Sequence, residues 1–505
     1  MAYEQLFDVI IVGGGSAGCA AAARLTEDPS RKVLLIEAGP DPWPLPEIVA
    51  SDRRDANLLL ESDYILMYPS PRPIDGSPVY ALSGRIMGGG SSVNRMAAPR
   101  PTRLDFENWV AQGNPSWTWE DCLPILKRME SDQDFPDSPI HGSSGPIYIK
   151  RPWTFDKPLD ESVQAFIEHV GSMGIPICRD LNGPDPFGIG PSASNIKNGA
   201  RQSTTVAYLE TARGRPNLEI IADALVTELK VSGRRVEGVR YTKDGQTQTA
   251  VGDKVVLTAG ALHSPQILML SGIGPAAALE RLGIPVINNL PGVGENYQDH
   301  AKIVMTFEAG TGYETDSVIP RARLVYKSDP NLSCGNFHIG PTAAIQIGGL
   351  KPLLPVGANL VQQTNRGRVS LRNTDPRELP DLDSPMLEDP VDIEAMRNAM
   401  EFIFEMTHRG AMEQFYGPLV QPGPGEDWIK FAQSTFDSYH HSSGTCMMAP
   451  ASNPMAVVDE RLHLHGIDNL WVADASIFPT VPHANTNLSA IMVGERVSDF
   501  LKEED

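Results

Sequence analysis

Short, uniformly apolar runs along the chain alternate with stretches whose apolar positions recur at helical spacing. "FDVIIV" (7–12) is apolar and rich in β-branched residues, "CAAAARLTED" follows with strong helix formers, and "KVLLIEAG" is a second unbroken apolar run. Strands without alternation are buried on both faces, the mark of a parallel sheet covered by helices. "KVVLTAGALHSPQILMLSGIG" repeats strand, turn and helix, and "NLEIIADALVTELKVSGRRVEGVRYT" predicts strands joined by a turn at Ser232–Gly233. Residues 100–135 and roughly 390–408 predict helices. From about 155 to 200 the pattern weakens, and 305–390 mixes strands with Pro/Gly loops. "NLWVADASIFP" predicts a strand ending at Asp474, and "NTNLSAIMVGERVSDFLKEE" a terminal helix.

The 505 residues exceed one compact core and imply two or three units. Acidic residues outnumber basic ones, 63 to 42, for a formal charge of −21. That surface disfavours nucleic acid and anionic membranes as partners. No apolar run reaches the roughly 20 residues of a membrane span. The apolar N-terminal stretch has an acidic lead-in, Glu4 and Asp8, where a signal peptide would be basic, so it reads as mature structure. Five scattered cysteines without a CxxC suit reduced thiols in a cytoplasmic protein.

Between the first predicted strand and helix lies Gly13-Gly14-Gly15-Ser16-Ala17-Gly18, a GxGxxG pattern. Gly13 permits the tight turn, Gly15 lets the backbone approach a pyrophosphate, and Gly18 lets helix pack on strand. The helix N-terminus at Ser16 and Ala17 then aims its amides at phosphate. Glu37 closes the second strand about 20 residues on, where a carboxylate binds ribose hydroxyls and disfavours a 2′-phosphate, so FAD or NAD is expected over NADP. "GRIMGGGSSVNRM" (84–96) carries no charge between Arg85 and Arg95 and can wrap a flat polar ligand.

"SYHHSSGTCMM" (438–448) places His440 beside His441, and three chemistries compete for it. A metal is disfavoured, because adjacent histidines are poorly placed for one ion and no carboxylate or thiolate lies at a recurring ligand spacing. A nucleophile at Cys446 would need an oxyanion loop, and "GTCMM" offers none. A proton acceptor suits histidine and needs a redox partner, which the glycine-rich segments could hold. Either histidine could serve, though neighbours on an extended segment face opposite ways, so only one could face a ligand.

These motifs, with "LPGVGENYQDH", "NRGRVSLRNTDP" and "VADASIFPTVPHANTNLSAIMVGER", stand in an order that resembles the glucose–methanol–choline (GMC) oxidoreductases essentially end to end. Within that family the chain looks most like the bacterial enzymes that oxidise choline, hydroxymethylfurfural and other primary alcohols. The resemblance implies an α/β fold: a Rossmann-like FAD-binding domain from 1–155, 205–300 and 435–505, and a discontinuous substrate domain, 156–204 and 301–434, built on an antiparallel sheet. It implies that Gly13, Gly15, Gly18 and Glu37 hold the ADP part, that Ser91, Ser92, Asn94 and Ala97 touch the flavin, that Val226 lies near the adenine, and that Asp474, Ala475 and the amide of Thr486 face the cofactor. Some members attach FAD through a histidine just before the loop's asparagine; here that position is Val93, so non-covalent FAD is expected.

The resemblance further implies oxidation of a small alcohol to an aldehyde, with O2 or another acceptor reoxidising the flavin. A sugar hydroxyl as substrate, or a flavin-containing hydroxynitrile lyase, is the alternative. Its register makes His441 the base and Asn485 its partner, with His440 turned away into packing. Tyr439, His440, His483 and His338 are expected near the substrate. Tyr64, Met67, Tyr68, Phe337 and Trp428 are candidates for an apolar pocket wall.

Overall fold

In the computed structural model, residues 6–52, 59–157, 159, 161–313, 322–341, 344–346 and 350–504 are described. The first apolar runs form Leu6–Val12 and Val33–Ile36, bridged by the helix Ser16–Leu25. They lie in a seven-stranded sheet. Leu218–Ile221, Val33–Ile36, Leu6–Val12, Gln246–Leu257 and Leu470–Val472 run parallel in that order. An antiparallel hairpin, Leu225–Ser232 and Arg235–Lys243, extends the long strand, with Gly233 at φ +58° in its turn. The helix Gly260–Leu270 and the terminal helix Thr486–Glu503 complete this unit, and one core fills it.

The segments that read poorly supply most of a second seven-stranded sheet. Its order is Tyr416–Gln421, Ala301–Ala309, Leu353–Leu360, Phe337–Pro341, Ala322–Tyr326 and Gly188–Pro191, with Asp437–Ser438 also paired to Ala301–Ala309. All described pairings are antiparallel, so each strand alternates between faces. Ile303, Leu324, Phe337, Ile339, Ala358 and Leu360 face a core shared with the helix Pro390–Thr407. Lys302, Asn359 and His338 stand opposite one another on three adjacent strands, on the other face, and Arg323 shares that face one strand further on. Phe337 is therefore core and not pocket wall, because its neighbour His338 takes the open side. Trp428 packs on the same core, and Met67 is exposed.

Residues 437–438, expected in the cofactor unit, are paired into this second sheet. The chain crosses between units just ahead of the two histidines. No helix among the described residues is long and apolar enough to cross a membrane.

Candidate active site

The glycine turn is built by close backbone contacts. Gly13 sits at φ +106°, and a Cβ there would lie 2.6 Å from the Thr258 carbonyl oxygen. A Cβ on Gly18 would fall 2.0 Å from the carbonyl oxygen of Gly13. At Gly15 the nearest such atom is 3.7 Å away, leaving that side of the turn open. The Glu37 carboxylate accepts from Gly14 N (2.7 Å) and Gly39 N (2.8 Å), which fixes turn to strand end. Burial nonetheless pushes its carboxyl up to about 7.

Beside the turn lies a cavity of about 480 Å³. Gly13, Gly15, Ser16, Ala17, Glu37, Val226, Asp474 and Ala475 line it, together with Gly89 and Gly90 of the second glycine-rich segment. The small walls, open helix N-terminus and ribose-type carboxylate fit an adenine dinucleotide. A Cβ on Gly89 would come within 2.8 Å of Gly15 Cα, so the two glycine segments meet backbone to backbone. The residues expected to touch flavin also brace this loop. Ser91 Oγ donates to Gly88 O (2.6 Å), Ser92 Oγ donates to Met87 O (2.8 Å), and Asn94 Oδ1 accepts from Met96 N and Arg201 Nη1. Ala97 pairs through its backbone with Ser194. Asp474 accepts from Gly260 N (2.8 Å), Ser264 Oγ (2.6 Å) and Ser476 N (2.8 Å), tying its strand end to the helix at Gly260.

His441 and Asn485, 44 residues apart, meet at 3.0 Å between His441 Nε2 and Asn485 Nδ2. Asn485 is the N-cap of the terminal helix, where an asparagine side chain ordinarily accepts from the first turn. Here it makes no cap bond and turns to the histidine, a local preference set aside for the site. Thr486 is the first residue of that helix. On the other side, His441 Nδ1 lies 2.8 Å from His300 Nδ1. With Asn485 Nδ2 donating to His441 Nε2, the hydrogen of His441 lies on Nδ1 and His300 Nδ1 accepts it. The lone pair of His441 Nε2 is thus directed at Asn485.

Asp299 clamps this arrangement. Its Oδ1 accepts from the main-chain N–H of both His300 (2.7 Å) and His441 (2.7 Å), and its Oδ2 accepts from Ser438 Oγ at 2.5 Å. Sequence reasoning gave no role to Asp299 or His300. The only available signal was their place in "YQDH", since neither shows periodicity or motif spacing of its own.

Burial, then the charges of His300 and His440, hold the His441 imidazole well below the ordinary histidine range. Burial, then His483, pushes His300 down to about 3. The segment is not extended at His440, which has φ +63°. That turn leaves His440 exposed instead of packed, with its N–H donating to Ser438 Oγ (2.9 Å). Tyr439 sets its ring edge-on to His441, centroids 4.6 Å apart. His483 Nδ1 is 2.6 Å from Asp105 Oδ1. His483 Nε2, His300 Nε2, His338 Nδ1 and Asn485 Oδ1 are buried without a described partner. Tyr68, fully buried, contacts His263 Nε2 through its hydroxyl at 2.5 Å. Burial drives the Cys446 thiol far up, which removes it as a nucleophile.

Among the described residues one set of metal-type side chains clusters, Glu130, Asp132 and His141. Arg100 and Arg151 already neutralise its two carboxylates. It has no part in the pair above.

The family model described as GMC oxidoreductase matches residues 7–302 in its N-terminal part and 363–494 in its C-terminal part. The chain is 34% identical to the mitochondrial choline dehydrogenase of Homo sapiens, over 98% of this chain and 90% of that one. It is 32% identical to the 5-(hydroxymethyl)furfural oxidase of Methylovorus sp. (strain MP688), over 99% of each. Among solved structures it superposes on pyridoxine 4-oxidase from Mesorbium loti with a TM-score of 0.90 at 29% identity, covering 98% of both chains.

Proposed function

Because this chain belongs to the GMC oxidoreductase family and is an oxidoreductase acting on CH–OH groups, we propose that it oxidises a primary alcohol to an aldehyde with His441 as the base. The observation that carries this reading is the buried contact of His441 with Asn485 at the N-terminus of the terminal helix. An alcohol is a poor hydride donor until its hydroxyl proton leaves. His441 Nε2 takes that proton, while the second N–H of Asn485 holds the oxygen and orients the C–H bond. His300 keeps His441 in the tautomer that accepts, and Asp299 holds its main chain in place. FAD supplies the hydride acceptor. The positive end of the terminal helix favours negative charge at Thr486. Tyr439, His338 and His483 contact the substrate, with His440 at the rim, and O2 or another acceptor takes the electrons.

Anaerobic addition of a primary alcohol is expected to bleach the flavin band near about 450 nm, the region where oxidised flavin absorbs. A panel of alcohols that all leave the band intact would overturn the redox reading and favour a lyase. The FAD is held without a covalent bond: Val93 packs with Val49, Leu59 and Ile86, and no nucleophile stands at that position. Acid precipitation should therefore leave all the flavin in the supernatant; yellow pellets would contradict this.

A third expectation concerns pH. His441 is held below the ordinary histidine range, so it stays neutral and able to accept as pH falls through about 6.5. The acid limb of kcat/KM should lie well below that value. A limb near neutrality would mean a different group is the base. We also place the protein in the cytoplasm, on its five free cysteines.

A further inference from the structure

The second sheet presents a cationic face to the catalytic histidines. Lys302, Asn359 and His338 lie in register across three neighbouring strands. Arg323 is on the same face, two residues before the partner of His338. Side chains on this face point away from the apolar core, whose members alternate with them along each strand. The charge of Arg323 helps hold both His338 and His441 below the ordinary histidine range, which agrees with its place on the face that carries His338. Neither Arg323 nor Lys302 makes an ion pair with any described carboxylate. An unpaired, half-buried guanidinium at Arg323 is costly unless a ligand completes it.

The acidic groups around them are otherwise engaged. Asp299 is tied by two main-chain amides and a serine hydroxyl, and Asp105 is bound to His483. Asp437 alone faces Lys302, across the register of their strands. Among the described residues no carboxylate pairs with Arg323.

We propose that Arg323, with His338 beside it and Lys302 along the same row, recognises a carboxylate on the substrate, so that the physiological substrate is a hydroxy acid and not a cationic alcohol. This rests on the alcohol-oxidising reading above and sharpens it. A planar guanidinium matches a carboxylate with two parallel N–H···O bonds, and the unpartnered His338 ring nitrogen adds a donor or acceptor at its side. A trimethylammonium group would need an aromatic cage or a carboxylate there and would meet two like charges. The pocket therefore differs in kind from one suited to choline, although choline dehydrogenases are among the relatives.

The test uses the FAD-loaded enzyme and one scaffold with three charges: 4-methylbenzoate, 4-methylbenzamide and 4-methylbenzyltrimethylammonium, with binding measured by calorimetry. The carboxylate should bind about tenfold tighter than the amide, and the cation weakest. In Arg323→Gln the preference for carboxylate over amide should vanish, and in Arg323→Lys part of it should remain. Equal binding of carboxylate and amide by the native enzyme, preference for the cation, or equal losses for both ligands in Arg323→Gln would overturn the proposal. The native comparison needs no variant, so a misfolded mutant cannot obscure the answer. The hydroxymethyl counterparts, added anaerobically, separate the two levels. Carboxylate preference without flavin bleaching keeps the site and sinks the redox reading; bleaching without carboxylate preference does the reverse.

Discussion

His441→Ala is expected to slow anaerobic flavin reduction by about 10³-fold, whereas His440→Ala costs less than about tenfold. The two side chains are neighbours, yet their settings differ in every respect that matters to proton transfer. His441 is buried, has its acceptor nitrogen defined by contacts at both ring positions, and meets Asn485. His440 is turned out by a left-handed backbone and touches Ser438. Stopped-flow reduction with one good substrate decides the matter. Comparable losses in the two variants would mean that the pair acts together, or that His440 is the base. His300→Ala should fall between them, since it removes the group that fixes the tautomer and not the acceptor itself.

Gly494→Val is expected to give a protein that holds no FAD and is less stable by about 3 kcal/mol or more. A Cβ at 494 would lie 2.3 Å from Ala17 O and 2.8 Å from Ala17 Cα, so the terminal helix touches the first helix backbone to backbone. No side chain is available to move aside. The neighbouring Glu495 is buried, with Arg24 at 2.9 Å, Arg128 at 2.6 Å and the Tyr208 hydroxyl at 2.7 Å, so the helix cannot slide without stranding a charge. Spreading the helices would displace Ser16 and Ala17 from the cavity wall. Flavin absorbance of the purified variant and its thermal melt test both parts. A yellow variant with an unchanged melt would show that the contact tolerates bulk.

What was legible from the residues follows from how local each signal is. The glycine turn, Glu37, the first two strands and the terminal helix rest on spacing within about 30 residues, where pattern and structure coincide. The Ser232–Gly233 turn was equally local. Asp299 and His300 were not legible, because their meaning lies in contacts with residues 139 to 142 positions away. Phe337 was misassigned because an aromatic in a strand carries no mark of which face it takes; only the pairing with Leu360 does. The loop serines were expected to face the cofactor. In a loop this tight the hydroxyls also donate to neighbouring carbonyls, and Gly89 and Gly90 line the cavity.

The contact between first and terminal helix also bears on the order of synthesis. The helix Ser16–Leu25 buries almost every residue, and much of what covers it is made more than 460 positions later. Ser16 Oγ itself donates to Asn487. Until the terminal helix is made, the helix Ser16–Leu25 lacks the surface that covers it in the native fold. Cofactor loading must therefore wait until residues 486–503 are out, and a translation intermediate halted before them should bind no FAD in a filter assay.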